Sequence, residues 1–305
     1  MIVVKDVSKR LGEKQVLKDV SFHTAPCECL GIIGKNGAGK TTLLNIISGI
    51  LKQDSGFVRI NGSRDIMHDY ETLKKMSYVS GTKNQLWTDM KLIYSFESCG
   101  RMYGIKKRDF SERLTRLMDI FDIRDCLDKL PMNLSLGQRI RSELVYALLS
   151  EPEILFLDEA LIGLDVTVKE RVMELFAKMK EDRKTTILYT SHNLVEIEKL
   201  CDRVILLDEG RIIFDGRVER LMQEYAPEYQ VDIGINGDFP DLEDLPVEKY
   251  VLDKNVLSVR FDKQKVATSA VINHILNRCQ INRIKIIEPN LEDTIKKIYE
   301  GKDRL

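Results

Sequence analysis

Short, mostly apolar runs alternate along the chain with longer segments of helical periodicity. Such runs predict buried strands, and in the central part of the chain a helix fits between each pair of them. Strands separated by helices indicate a parallel, doubly wound sheet, so the pattern predicts an α/β domain with a mixed or parallel sheet core. The predicted strands lie at 2–4, 16–22, 29–33, 57–60, 76–79, 154–157, 186–189 and 204–207.

From about residue 90 to residue 150 the pattern is helical throughout. The apolar positions fall on one face of each of two helices, as expected for helices that pack against a core. These positions are Leu114, Leu117, Met118 and Phe121 in the first helix, and Leu144, Ala147 and Leu148 in the second. We therefore expect a helical subdomain, about 88–150, inserted into the α/β domain.

The character of the chain changes around 223–230, which we interpret as a linker between a first domain at 1–222 and a small α/β domain at 231–305. The second domain has its own alternation of strand and helix patterns and an acidic loop at 238–246. Its predicted strands are 231–235, 247–252, 256–261 and 281–287, and its predicted helices are 266–276 and 291–299.

Composition excludes several classes of protein. The chain has 305 residues, of which 43% are hydrophobic and 31% charged, as in a folded globular protein. Its formal net charge of −1 argues against a general nucleic-acid binder, because such binding requires an excess of Lys and Arg to neutralise phosphates, and it leaves local basic patches open. No run approaches the ~18–20 apolar residues that span a bilayer, so any membrane role must come through a partner.

The six cysteines are scattered, and none has the spacing of a zinc site. The first residues also lack the layout of a signal peptide. We therefore expect reduced thiols in a cytosolic protein.

A glycine-rich segment follows the predicted strand 29–33 and leads into an apolar helical pattern at 43–47. Strand, glycine-rich turn and helix form the context of a phosphate-binding P-loop, in which backbone N–H groups and the helix N-terminus face phosphate oxygens. Lys40 is placed to reach the β- and γ-phosphates, and the Thr41 hydroxyl to hold Mg²⁺. A strand–helix turn that matches by coincidence is the alternative. The segment reads Gly34-Lys35-Asn36-Gly37-Ala38-Gly39-Lys40-Thr41-Thr42.

Four further motifs narrow the function. An apolar strand ends in Asp158-Glu159, and the segment Leu134-Ser135-Leu136-Gly137-Gln138 precedes a helix. The segment 160–165 and the triplet Thr190-Ser191-His192 complete the set. In their order along the chain, with the segment 134–138 ahead of Asp158, the motifs resemble those of the ATP-binding subunit of an ABC transporter, a P-loop NTPase, and the resemblance covers residues 1 to about 222.

The resemblance implies a role for each motif. Asp158 would bind Mg²⁺ through water, and Glu159 would be the base that polarises the attacking water. His192 would contact the γ-phosphate of ATP. The segment 160–165 would cross a dimer interface. The residues that would grip the γ-phosphate of ATP bound to the other subunit are Ser135, Gly137 and Gln138.

The chain departs from the family pattern at three positions. Leu136 stands where the signature motif has Gly, although Ser135 and Gly137 remain. Leu11 stands where an aromatic residue usually stacks on adenine, so apolar packing is kept and the π-stacking contribution is lost. No Gln follows the strand 76–79 at the expected position, and Gln85 is the nearest candidate.

The segment 286–293 resembles the end of ATPases that serve ABC-2-type exporters, and the loop 81–87 resembles a branch that includes drug-exporter ATPases. The resemblance thus implies an ATPase at the cytoplasmic face of the membrane. It would work as a dimer, with itself or a paralogue, and with separate integral membrane permease subunits. A soluble ABC ATPase acting on ribosomes or DNA is disfavoured by the single cassette, the lack of heptads and the net charge. An importer ATPase is disfavoured by the C-terminal resemblance alone.

From Leu11 we predict weak discrimination among nucleoside triphosphates, since most contacts are to phosphates and no aromatic ring selects the base. Competition of GTP against a labelled ATP analogue is the measurement. A preference for ATP above ~100-fold, roughly 2.7 kcal/mol, would show that another group reads adenine.

Overall fold

The computed structural model describes residues 1–81, 84–182, 185–226, 228–236, 247 and 249–299. The chain divides into two compact units, Met1–Gly216 and Arg217–Leu305. Within the described residues, no helix is long and apolar enough to cross a membrane.

The first unit contains nine strands and seven α-helices among the described residues. In chain order they are β1 (Ile2–Leu11), β2 (Lys14–His23), β3 (Cys29–Gly34), α1 (Lys40–Ile47), β4 (Ser55–Ile60), α2 (Tyr70–Leu73), β5 (Met76–Ser80), α3 (Leu92–Met102), α4 (Lys107–Phe121), α5 (Leu136–Leu149), β6 (Ile154–Asp158), α6 (Val166–Glu181), β7 (Thr186–Thr190), α7 (Leu194–Leu200), β8 (Arg203–Asp208) and β9 (Arg211–Arg217).

The central sheet has six strands in the order β5-β6-β7-β3-β8-β9. The pairs β5/β6, β6/β7, β7/β3 and β3/β8 are parallel, which confirms the predicted α/β class. Every residue of β3, β6 and β7 is buried, as expected for parallel strands covered on both faces. Because parallel strands end at the same edge of a sheet, the segments that follow β3, β6 and β7 meet there.

A second sheet of three antiparallel strands, in the order β2-β1-β4, packs on the same apolar core. Ile2, Val4 and Val58 from this sheet share that core with Leu43 of α1 and Ile32 of β3. The sheet thereby holds the hairpin β1–β2, which carries Leu11 at its tip, beside the helix that follows the glycine-rich segment.

The inserted helical region is made of α3, α4 and α5, and the apolar faces predicted for α4 and α5 are buried. The prediction of helix throughout 90–150 is wrong for 122–135, where only two short 3₁₀ turns form. The reason is local: Asp122 adopts a left-handed conformation (φ 49°) that ends α4, and Pro131 cannot continue a helix.

The second unit is a small α/β structure. Its elements are α8 (Val218–Tyr225), β10 (Glu228–Asn236), β11 (Lys249–Asp253), β12 (Val256–Asp262), α9 (Thr268–Leu276), β13 (Gln280–Ile287) and α10 (Leu291–Tyr299). The sheet order is β11-β12-β10-β13, with all pairs antiparallel. Val231, Val259 and Phe261 form its core with Val271 and Ile275 of α9.

The predicted linker at 223–230 contains the end of α8 and the beginning of β10. The structural division assigns α8 to the second unit. The predicted acidic loop 238–246 lies outside the described residues. The functional domain bounds 1–222 and 231–305 stay a prediction.

Candidate active site

The glycine-rich segment forms the turn between β3 and α1. Gly37 and Gly39 have φ angles of 79° and 110°, in the left-handed region that favours glycine. A Cβ on Gly39 would lie 2.9 Å from the Val16 carbonyl oxygen, so a larger residue would displace β2. The segment therefore lies closely against β2 and presents backbone, rather than side chains, at the start of α1.

Lys40 is the first residue of α1, and its ammonium group is folded back onto this segment. Nζ donates to the carbonyl oxygens of Gly34, at 2.7 Å, and Lys35, at 3.3 Å. Burial lowers the pKa of Lys40, while the negative charges of Glu159 and Asp158 oppose this shift. Lys40 is thus a buried cation held by the loop and close to two carboxylates.

A cavity of about 330 Å³ opens beside the segment. The α1 N-terminus beside it has no side-chain cap and no acidic residue in its first turn, which leaves its electropositive end for an anion. Leu11, 47% exposed, adds an apolar side chain. The lining suits the phosphates of a nucleotide with an apolar contact for its base. It consists of Leu11, Lys14, Val16, Asn36, Gly37, Gly39, Lys40, Thr41, Thr42 and Glu159.

Asp158 is the last residue of β6, and both of its carboxylate oxygens accept hydrogen bonds. Thr190 Oγ1 donates to Oδ1 at 2.7 Å, and the Tyr78 hydroxyl donates to Oδ2 at 3.2 Å. Tyr78 is on the neighbouring strand β5, where its ring stacks on Phe156 with centroids 5.9 Å apart. The carboxylate is therefore fixed by groups from the strands on each side of it.

Glu159 follows directly and adopts a left-handed conformation, with φ of 54°. This conformation costs a non-glycine residue about 1 kcal/mol, and here two hydrogen bonds hold it. Glu159 N–H donates to the Thr190 carbonyl oxygen and to Thr190 Oγ1, both at 3.1 Å. Glu159 also lines the cavity.

His192 lies within reach of Glu159, with 2.7 Å between His192 Nε2 and Glu159 Oε1. The parallel register pairs Asp158 with Thr190, so the residues just beyond the two strands meet. Both side chains are partly exposed, His192 to 47% and Glu159 to 31%. The structure thus brings together Lys40, Asp158, Glu159 and His192.

The signature-like segment lies at the start of α5 and is absent from the described residues that line the cavity. Ser135 is the N-cap of α5: its Oγ accepts from Gln138 N at 3.2 Å, and Gln138 Oε1 accepts from Ser135 N at 3.1 Å. This capping box fixes the segment locally. A Cβ on Gly137 would lie 3.0 Å from the carbonyl oxygen of Gly163, so the segment touches 160–165.

The loop after β5 takes an unusual course where the family has Gln. Gly81 N–H donates to the Asp158 carbonyl oxygen at 3.1 Å, and a Cβ on Gly81 would lie 2.8 Å from the Glu159 carbonyl oxygen. A side chain at position 81 would collide with the backbone of the site. Gln85 instead donates its side-chain amide to the Tyr78 carbonyl oxygen. Thr82 and Lys83 of the predicted loop lie outside the described residues.

Glu143 of α5 anchors the same loop, and sequence reasoning had missed it. Its Oε1 accepts from Gln85 N at 2.9 Å, while Oε2 has no hydrogen-bond partner among the described residues. Burial raises the pKa of Glu143 to about 7. An acid inside the apolar stripe of a predicted helix was the sequence signal for it.

The described residues contain no cluster of three or more His, Cys, Asp or Glu side chains arranged to hold a metal. A P-loop site needs no such cluster, because Mg²⁺ is bound there by one or two protein groups together with substrate phosphates and water. Thr41 and Asp158 supply a hydroxyl and a carboxylate of this kind. Both oxygens of Asp158 already accept hydrogen bonds, which favours coordination through water.

Comparisons with known proteins agree with this geometry. A family model described as ABC transporter matches residues 17–162. The ABC transporter ATP-binding protein NatA of Bacillus subtilis is 31% identical over 232 residues, which are 75% of this chain and 94% of NatA. The linearmycin resistance ATP-binding protein LnrL of the same organism is 25% identical over 304 residues, 96% of each chain.

A solved structure of the ATP-binding subunit of an ABC transporter superposes with a TM-score of 0.69 at 27% identity. The superposition covers 74% of this chain and 93% of the chain of that structure. The site has a cavity with a buried lysine and an Asp-Glu pair at a strand end, and NatA is matched along almost its whole length. These observations together identify the family. The chain belongs to the ATP-binding proteins of ABC transporters, a family of ATPases.

Proposed function

We propose that the chain energises an ABC exporter through separate membrane subunits, with ATP held between two cassettes. One observation carries the proposal: Glu159 lines the cavity together with Lys40 and the glycine-rich segment, and His192 contacts Glu159, while the signature segment neither lines the cavity nor contacts Glu159 among the described residues. A second cassette would complete such a site by supplying the signature segment.

In the proposed mechanism the residues of the cavity bind the triphosphate before any chemistry occurs. The ammonium of Lys40 leaves the Gly34 carbonyl oxygen and binds phosphate oxygens, together with the N–H groups at the start of α1. Thr41, and Asp158 through water, would hold Mg²⁺, which neutralises charge on the phosphates during transfer.

Glu159 then accepts the proton of the attacking water. In the structure its Oε1 lies 2.7 Å from His192 Nε2, so this oxygen accepts the proton only after that contact opens. Contact of His192 with a γ-phosphate would release Glu159 for the water. Ser135, Gly137 and Gln138 of the second cassette would bind the same phosphate from the opposite side.

Export is supported by the likeness to LnrL, a linearmycin resistance ATP-binding protein that aligns over 96% of both chains. That alignment is long enough to include the second unit, whereas the alignment with NatA covers 75% of this chain. On this proposal the protein binds its membrane subunits at the cytoplasmic face and has no nucleic-acid partner.

We predict that Lys40→Ala abolishes nucleotide binding, because it removes the buried cation of the cavity.

Glu159→Gln should keep binding but lose turnover, since the amide cannot accept the proton. ATP should then trap a dimer that is visible by size-exclusion chromatography. Hydrolysis by Glu159→Gln at the wild-type rate would show that another group is the base.

We predict that Tyr78→Phe raises the Mg²⁺ concentration needed for half-maximal hydrolysis, by about 3- to 10-fold. The reason is that Asp158 loses one of its two hydroxyl donors, a hydrogen bond worth about 1 kcal/mol. The phenylalanine ring keeps the stacking on Phe156, so the melting temperature should stay near normal. An unchanged Mg²⁺ titration would mean that Thr190 alone fixes Asp158.

We predict that Trp87→Ala weakens assembly with the membrane subunits and leaves nucleotide binding near normal. Trp87 is 47% exposed, beside Leu86, which is buried. The backbone N–H of Trp87 donates to Ser95 Oγ at 3.0 Å, so the backbone of the loop is held while the ring is partly exposed. An exposed aromatic residue is a suitable interface anchor.

A pull-down at matched expression measures this, with Tyr70→Ala as the control, because Tyr70 is an exposed aromatic residue outside the loop. Normal assembly of Trp87→Ala, or a loss that follows a collapse in melting temperature, would place the coupling surface elsewhere.

A further inference from the structure

A buried carboxylate lies beneath the loop that carries His192. Glu196, on α7, is 6% exposed, and its two oxygens accept hydrogen bonds from four side chains. Oε1 accepts from Lys169 Nζ at 2.7 Å and from Asn193 Nδ2 at 3.0 Å. Oε2 accepts from Ser191 Oγ at 2.9 Å and from the Tyr189 hydroxyl. A buried charge is tolerated when it is paired and hydrogen-bonded in this way.

Two of these donors flank His192 in the chain. Ser191 precedes it and Asn193 follows it, and Asn193 N–H also donates to Ser191 Oγ at 3.0 Å. Asn193 in addition caps α7 by accepting from Val195 N at 3.1 Å. The backbone on both sides of His192 is therefore fixed to one carboxylate, although the imidazole itself is partly exposed.

The other two donors belong to the rigid frame of the unit. Tyr189 is fully buried on β7, and Lys169 is on α6, the helix that follows the segment 160–165. Burial, and next the charge of Glu196, raises the pKa of Tyr189, so its hydroxyl remains a donor. Glu196 thus joins the His192 loop to the central sheet and to α6.

We propose that Glu196 is a positioning residue for His192 in ATP hydrolysis. It holds Ser191 and Asn193 so that the imidazole approaches Glu159 Oε1 and, in the proposed function on which this inference rests, the γ-phosphate. Glu196 is not among the described residues that line the cavity, so its effect on the reaction passes through the loop.

The test is Glu196→Gln, with Glu198→Gln as a matched control that makes the same chemical change at an exposed position of α7. The amide cannot accept all four donors, so the loop loosens. We expect kcat to fall about 10-fold or more with KM for ATP nearly unchanged. Glu198→Gln should behave as wild type.

A double-mutant cycle with His192→Ala separates positioning from general stabilisation. If Glu196 acts through His192, Glu196→Gln should slow the His192→Ala protein by less than about 2-fold, because coupled residues are not additive. Full additivity of the two effects would overturn the proposal.

An NMR measurement gives a readout that does not depend on activity. The chain has four histidines, and the ring signal lost in His192→Ala identifies His192. Glu196→Gln should shift that signal and leave those of His23, His68 and His274 unchanged. If Glu196→Gln is unstable, Asn193→Ser keeps a capping residue but removes one tether, and it should move the same signal.

Wild-type kcat together with an unmoved His192 signal in Glu196→Gln would overturn the positioning role. The proposed function fails in a different way, namely if His192→Ala itself hydrolyses ATP at the wild-type rate. In that case a shifted His192 signal in Glu196→Gln still supports the tether, and an unmoved signal rejects it.

Discussion

The common edge at which three parallel strands end is the constraint on which the site depends. In the register of the central sheet, Thr190 of β7 lies opposite Asp158 of β6 on one side and Ile32 of β3 on the other. These strands are buried along their whole length. A slip of one residue in register would turn every side chain of a strand to the opposite face of the sheet, away from the neighbours it packs against. The packing that stabilises the sheet therefore also aligns the glycine-rich segment, the acidic pair and the histidine.

Much of this arrangement follows from the sequence because its signals are local. The glycine-rich segment and the acids at the end of an apolar strand each occupy a few consecutive residues. The groups that fix Asp158 and the β5 loop were not predicted. Tyr78 and Asp158 are 80 positions apart, and Gln85 and Glu143 are 58 apart, so only the fold brings them together.

The wrong helix prediction at 122–135 has a local cause and not a long-range one. Apolar residues there fit a helical period, but a single left-handed residue and a proline decide the local backbone. Periodicity reports which residues face a core, and it does not report where a helix ends. The missing Gln after β5 is explained by a close approach: Gly81 passes within van der Waals contact of the Glu159 backbone, where a Cβ would lie 2.8 Å from its carbonyl oxygen.

Two carboxylates near His192 differ in burial and in the number of hydrogen bonds they accept. Glu196 is buried and accepts four hydrogen bonds, so moving it would leave several polar groups unpaired, each at a cost of about 1–3 kcal/mol. Glu159 is partly exposed, and its carboxylate contacts the His192 ring, so water can replace that contact when it opens. The histidine is thus attached through its flanking residues to a fixed group and through its ring to an exchangeable one. In the proposed mechanism, that combination would let the ring change partners, from Glu159 to a phosphate, without rebuilding the loop that carries it.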